Sequence, residues 1–294
     1  MRPGAKLGMS NLAWAPADTP AALDRLAALG VQGIEAAPTR IAGWEDLTQG
    51  ALIDYRRRAT AAGLQIPSLQ ALFFGRPGDQ LLGDAAAFGT MAEHTRRVAA
   101  IAGTLGAEVA VFGAPRNRLR GALPDAEAEG LAAARLQVLG DIAQAAGVVL
   151  ALEPVPACYG ADFLLHAADV RRLVRRCGHP GIRPHLDSAC VTLAGDGLAD
   201  EIAATGPGGT RPGEAGPGGG GDGLAHYHIA EPGLGPFDAP SCPHAAAGDA
   251  LRQVGYTGWL VIEMREQPGG LAVVEAAIRL AQQAYGVPGT TRLC

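Results

Sequence analysis

Residues 147–154 read Gly147-Val148-Val149-Leu150-Ala151-Leu152-Glu153-Pro154. Five apolar residues in a row, entered from a glycine and left through an acid and a proline, describe a strand buried on both faces. A strand with one wet face would alternate instead, so the run predicts a parallel sheet covered by helices. The glycine closes the preceding helix, because the position after the last turn favours a left-handed residue and only glycine takes it without a Cβ penalty.

The same cadence recurs along the chain. Gly30 precedes Val31–Glu35, Gly63 precedes Leu64–Leu69, Gly106 precedes Val109–Phe112 and Gly255 precedes Trp259–Ile262. Lys6–Leu12, Ile182–Leu186 and Leu224–Ile229 complete eight strand candidates, their starts roughly 25–45 residues apart, the length of one β–loop–α–loop unit. Helical spacing fills the intervals. Pro20–Leu29 carries Leu23, Leu26 and Leu29, with Asp18 or Thr19 as cap and Pro20 in the first turn. Leu81–Leu105, Asp125–Ala146, Ala168–Arg176, His244–Val254 and Gly270–Ala284 follow. Eight such units in 294 residues predict a (β/α)8 TIM barrel forming one domain over residues 1–294. A doubly wound open sheet is the alternative. Residues 206–223, GPGGTRPGEAGPGGGGDG, hold almost no apolar side chain and are expected to be a flexible insertion before strand seven. The run is no phosphate loop, since no Lys-Ser/Thr closes it and no helix follows.

Composition removes several function classes. With 24 basic and 29 acidic residues, a net charge of −5 and no Lys/Arg run, the chain lacks a nucleic-acid or membrane-surface footprint. No stretch of 18 apolar residues exists to span a bilayer. The opening Met1–Lys6 does not read as a signal peptide, and five widely spaced cysteines without a C-x-x-C describe reduced thiols; both predict a cytoplasmic protein.

In a barrel, polar residues that end strands converge on one mouth. Strand five ends at Glu153, strand six at Asp187, strand seven passes through His228 and strand eight ends at Glu263, spaced by 34, 41 and 35 residues. Three carboxylates gathered among apolar strands repel one another and lack water, so unless protonated they need a cation between them. Three oxygen donors with one imidazole suit one divalent ion, Mn²⁺, Mg²⁺ or Co²⁺ ahead of Zn²⁺. Taken singly, each residue would pass for a structural cap or an ion-pair partner; matching positions on consecutive repeats argue for a metal site.

The endings LEP, HLD, HIAE and VIEM, together with Met9–Trp14, Gly33-Ile34-Glu35 and Gly258–Glu263, resemble the xylose-isomerase-like sugar phosphate isomerase/epimerase superfamily over nearly the whole chain. The resemblance implies a metal held by Glu153, Asp187, His228 and Glu263. It also implies that Glu153 and Glu263 transfer the proton during isomerisation or epimerisation of a sugar or cyclitol hydroxy-carbonyl through an enediolate. The chain departs from ketose 3-epimerases at Cys190, where they carry a histidine, and at Tyr159, where they carry a glutamate. Those departures point to a different polyol, cyclitol or sugar-derived substrate.

Further rim residues are candidates for substrate contact. They are Glu35, which as an alternative pairs with Arg40; Gln70; Arg116, within Arg116-Asn117-Arg118; Glu231, which as an alternative orients His228; and His244. His226 and His185 read as packing residues, and Trp14, Trp44 and Phe73 as pocket walls or core. Rival functions are a ketocyclitol dehydratase or lyase of the inosose dehydratase type, a DNA-repair endonuclease, disfavoured by the acidic charge, and an inactive binding barrel. A homo-oligomer built through the outer helices is compatible with the reading.

Overall fold

The computed structural model describes residues 4–207 and 223–287. Eight strands follow in chain order: β1 (Lys6–Ser10), β2 (Gly33–Glu35), β3 (Ser68–Leu69), β4 (Val109–Phe112), β5 (Val149–Leu152), β6 (Ile182–Asp187), β7 (His226–Ala230) and β8 (Trp259–Glu263). Neighbours pair in parallel in the order β2-β1-β8-β7-β6-β5-β4-β3. The two ends of that ribbon meet through parallel bridges Gly33–Gln65 and Ala36–Leu69. There the Ile34 amide donates to the Gln65 carbonyl at 2.8 Å and the Ala36 amide to that of Ser68 at 3.0 Å. The result is one (β/α)8 TIM barrel. β3 is far shorter than Leu64–Leu69 because Pro67 has no N–H to give a ladder; its carbonyl still accepts from the Glu108 amide at 2.9 Å.

The covering helices are α1 (Thr19–Ala28), α2 (Gln49–Ala61), α3 (Ala85–Leu105), α4 (Asp125–Ala145), α5 (Ala167–Cys177), α6 (Ser188–Leu193), α7 (Leu198–Thr205), α8 (His244–Gln253) and α9 (Leu271–Tyr285). α3 begins at Ala85 and not at Leu81, since extended Asp84 accepts from the Ala87 amide at 2.8 Å and so caps the helix. Gly106, at φ 84°, ends it. Three helices had no clear sequence signal. α2 buries only Leu52, Tyr55 and Ala59, while the segment after β6 breaks into α6 and α7 around left-handed Gly195. Of the expected insertion 206–223, residues 208–222 lie outside the described residues; Pro207 and Leu224 bridge at its base. Among the described residues no helix is long and apolar enough to cross a membrane.

Side chains alternate across each strand. Ala110, Phe112, Leu150 and Leu152 join the large cluster between sheet and helices. Val109, Val111, Val149 and Ala151 form a separate small cluster on the other face. The inner face of β5 therefore carries Val149 and Ala151, and the next residue in phase is Glu153.

Candidate metal centre and its cavity

The same period of two governs the three strands that follow. Asp187 and Glu263 end β6 and β8, His228 lies in the middle of β7, and register places Asp187 beside His228 and Ala230 beside Glu263. One ligand atom from each of Glu153, Asp187, His228 and Glu263 lies within 4.8 Å of the others. His228 Nδ1 is 3.2 Å from Glu263 Oε2 and 3.9 Å from Asp187 Oδ2.

Two of the three carboxylates, Asp187 and Glu153, are set in place by their surroundings. Asp187 caps α6, its Oδ1 accepting from the Cys190 amide at 2.7 Å, which leaves Oδ2 turned toward His228. Ser188 Oγ accepts from the Ala230 amide and donates to its carbonyl, both at 2.8 Å, tying β6 to β7. Glu153 passes so close to Gly113 that a Cβ there would sit 1.6 Å from Glu153 Oε2. Fully buried Arg118 donates to the Glu153 carbonyl at 2.5 Å and the Phe112 carbonyl at 3.1 Å, clamping β4 to β5. Arg118 is therefore a strut and not an anion grip. Burial pulls its guanidinium down to about 10, against the opposing field of Glu153. The Cys190 thiol, in the position discussed above, lies 3.7 Å from Glu153 Oε1.

The electrostatics of the group are those of an incomplete set. Burial first, then the charges of Asp187 and Glu263, push the Glu153 carboxyl up to about 8. Burial and Glu263 push Asp187 up to about 6. Asp187 Oδ2 and His228 Nδ1 are buried without a hydrogen-bond partner. Such orphans are costly unless something bridges them. Three carboxylates and one imidazole, with Asp187 Oδ2 and His228 Nδ1 unpartnered where they face one another, fit a divalent cation by number, type and spacing.

One layer deeper, His226 and His185 lie two residues before His228 and Asp187, hence on the same inner face. His185 packs, as its sequence position suggested, whereas His226 also makes a polar contact. His226 Nε2 donates to Glu35 Oε2 at 2.8 Å, and His228 Nε2 lies 2.9 Å from Glu35 Oε1. The His185 ring packs edge-on against His228 with centroids 4.2 Å apart. Glu35 does not pair with Arg40, which bonds the Trp14 carbonyl and reaches Glu266 at 3.4 Å. Burial opposes ionisation of Glu35, yet His228 and His226 outweigh it and hold the carboxyl well below the usual carboxylate range.

Above the ligands opens a cavity of about 590 Å³, with Glu153, His228 and Glu263 at its floor. Leu12, Phe73, Phe74 and Leu234 wall it, and Gln70 and Arg116 line it. Gln70 is anchored on Ser10 Oγ, and Arg116 stands exposed at the rim. Ala71 and Leu234, both lining residues, hold left-handed backbone at φ 54°, a conformation costly for residues with a Cβ. Glu231 and His244 bond each other at 2.7 Å and are not among the lining residues. Neither are Glu35, Trp14 or Trp44, whereas Phe73 is. Sequence reasoning had no signal for Gly113 or Leu234 and named Arg118 only as one of a loop triplet; a glycine directly after a strand end is the cue that marks Gly113.

The model of the family described as xylose isomerase-like TIM barrel matches residues 23–283. No curated protein sequence matches the chain. Among solved structures, D-psicose 3-epimerase in the presence of D-fructose superposes with a TM-score of 0.76 at 19% identity, covering 96% of this chain and 99% of its own. D-psicose 3-epimerase with D-tagatose from Clostridium cellulolyticum H10 gives 0.74 at 15% identity, covering 95% and 99%. The apo form of 3-keto-D-glucoside 4-epimerase from E. coli gives 0.70 at 18%, also covering 95% and 99%. At such identities these likenesses establish the fold alone.

Proposed function

The chain belongs to the xylose isomerase-like TIM barrel family, and from that premise we propose that it is a divalent-metal-dependent isomerase or epimerase of a sugar or cyclitol hydroxy-carbonyl. The observation that carries the reading is the set Glu153, Asp187, His228 and Glu263, gathered on consecutive strands with all but half-buried Glu263 buried, and with Asp187 Oδ2 and His228 Nδ1 left without hydrogen-bond partners. A divalent ion held there supplies Lewis-acid polarisation of a carbonyl and its adjacent hydroxyl, and charge that favours both the enediolate and the ionised carboxylates. Mn²⁺, Mg²⁺ and Co²⁺ suit the oxygen-rich set better than Zn²⁺.

The chain's own residues do the rest. Glu153 and Glu263 face the cavity from strands three apart. Carboxylates so placed can take a proton from the carbon beside the carbonyl and return it on the other face; one alone suits a 1,2 transfer. Gln70, fixed by Ser10, is positioned to bond a hydroxyl. Arg116 at the rim suits an oxygen-rich or anionic far end. The apolar walls between floor and rim exclude water from the reacting carbons.

The test is incubation with Mn²⁺ and a panel of ketoses and inososes in D₂O. Solvent deuterium at the carbon beside the carbonyl without loss of water is the expected result. Glu263→Gln lowers that exchange by at least about 100-fold, and chelation removes it reversibly. Full metal-dependent turnover in Glu263→Gln rejects the mechanism. Loss of a water mass assigns a dehydratase, and absence of both Mn²⁺ binding and exchange leaves a binding barrel.

A further inference from the structure

Resting on the metal reading above, we propose that Glu35 is a positioning residue. It fixes His228 as an Nδ1 ligand from the opposite side of the barrel, and His226 holds Glu35 in place. His228 has two nitrogens facing different groups: Nδ1 looks to Glu263 and Asp187, while Nε2 meets Glu35 Oε1 at 2.9 Å. An ionised carboxylate only accepts. The proton at that contact therefore belongs to His228 Nε2, and the lone pair is left on Nδ1, where the cation site is. Without Glu35 the neutral ring is free to carry its proton on Nδ1, which removes the ligand. The carboxylate also sets the ring plane, as partners of metal-bound imidazoles generally do.

The alternatives for Glu35 fail on geometry. Its side chain is fully buried and does not line the cavity, so it does not meet substrate. Its Oε2 accepts from His226 Nε2, whereas its Oε1 has no hydrogen-bond partner and lies 2.9 Å from His228 Nε2, itself without one, too close for two lone pairs to face each other. A carboxylate carried into the core by β2, with only two imidazoles of β7 to offset its charge, is costly to bury. Its one evident use is to orient the ring that faces the ligand set. The arrangement spans 191 residues of sequence between Glu35 and His226, so nothing local requires it.

The experiment is titration calorimetry with Mn²⁺ and the visible spectrum of the Co²⁺-loaded protein, in wild type and in Glu35→Gln, His226→Gln and Glu231→Gln. Glu35→Gln keeps size and an accepting oxygen but loses the charge. It weakens Mn²⁺ binding about 10- to 100-fold and shifts the Co²⁺ bands. His226→Gln, which frees Glu35 without removing it, moves both readouts in the same direction and by less; it serves as the test if Glu35→Gln does not fold. Glu231→Gln removes an equally buried carboxylate on another histidine and leaves Mn²⁺ affinity and the Co²⁺ spectrum as in wild type. Unchanged affinity and spectrum in Glu35→Gln, or equal losses in Glu35→Gln and Glu231→Gln, overturn the proposal while leaving the metal reading standing. Wild type that takes up no Mn²⁺ overturns both.

Discussion

Two buried glutamate–histidine groups are built around β7, and composition alone does not separate them. Glu35 meets His226 and His228; Glu231 meets His244, with Cys242 beside it. Both sets bring possible ligand atoms within 4.8 Å of one another. In the second, Glu231 accepts from the Ser241 amide at 2.8 Å, the Ser241 hydroxyl at 2.7 Å, the Cys242 amide at 3.2 Å and His244 Nε2 at 2.7 Å. His244 Nδ1 is taken by the Tyr285 hydroxyl at 2.9 Å, and Tyr285 meets Tyr227 at 3.4 Å. That group is satisfied and fastens the loop before α8. In the first, Glu35 Oε1, His226 Nδ1 and both His228 nitrogens are buried with no hydrogen-bond partner. Unspent bonding capacity, not the presence of acids and imidazoles, distinguishes a place built for a ligand from a rivet.

The sharpest break of that contrast is Gly113→Ala. The added methyl collides with Glu153 and with no rivet residue; Mn²⁺ affinity falls by about 100-fold, read by calorimetry, while overpacking costs about 1–3 kcal/mol of stability. Wild-type Mn²⁺ affinity in this variant would show that Glu153 is not part of the grip.

Glu231→Gln probes the other side and has a smaller effect. Loss of a charged, multiply bonded acceptor costs about 1–3 kcal/mol, a fall of a few degrees in Tm. Burial opposes ionisation of Glu231, but the Ser241, Cys242 and His244 donors outweigh it and keep its carboxyl below the ordinary 4.5. The stability it lends is thus complete above that value and lost as pH falls through the lower folded one. The Tm gap between wild type and Glu231→Gln is widest near neutrality and narrows below about pH 4.5. A gap independent of pH would mean that the charge is not what fastens the loop.

The smallest expected change is Arg116→Ala. An exposed rim cation touches neither group, so Tm and Mn²⁺ affinity hold while KM for an anionic or oxygen-rich substrate rises several-fold, about 1 kcal/mol of lost contact. An altered Mn²⁺ affinity would bring the rim into the ion's own surroundings.

Sequence carried the architecture well because the strands that matter are continuous apolar runs closed by a single polar residue. Val148–Leu152 with Glu153 is the plainest, and β4 has the bounds read for it. Where local pattern was weak, reading failed for stated reasons: Pro67 truncates β3, Asp84 takes the cap that moves the start of α3, and α2 hides three buried side chains among arginines. The four residues proposed as ligands are legible as strand endings at one-unit spacing, and the structure brings them together. The layer below them is not legible, because the pairing of Glu35 with His226 is a fact of barrel closure and has no local trace. Gly113 was equally hidden, since nothing in the chain order announces that a neighbouring strand's carboxylate needs the volume of its missing Cβ.

The four ligands all come from β5–β8, whereas Leu12, Gln70, Phe73, Phe74 and Arg116 come from the segments after β1, β3 and β4. The proposed ligands and most of the cavity wall thus come from different halves of the chain, with Leu234, after β7, the exception. On the function proposed above, the first half can be redrafted, loop by loop, to admit another substrate, provided that Glu35 and Gly113, its two contributions to the proposed grip, stay as they are.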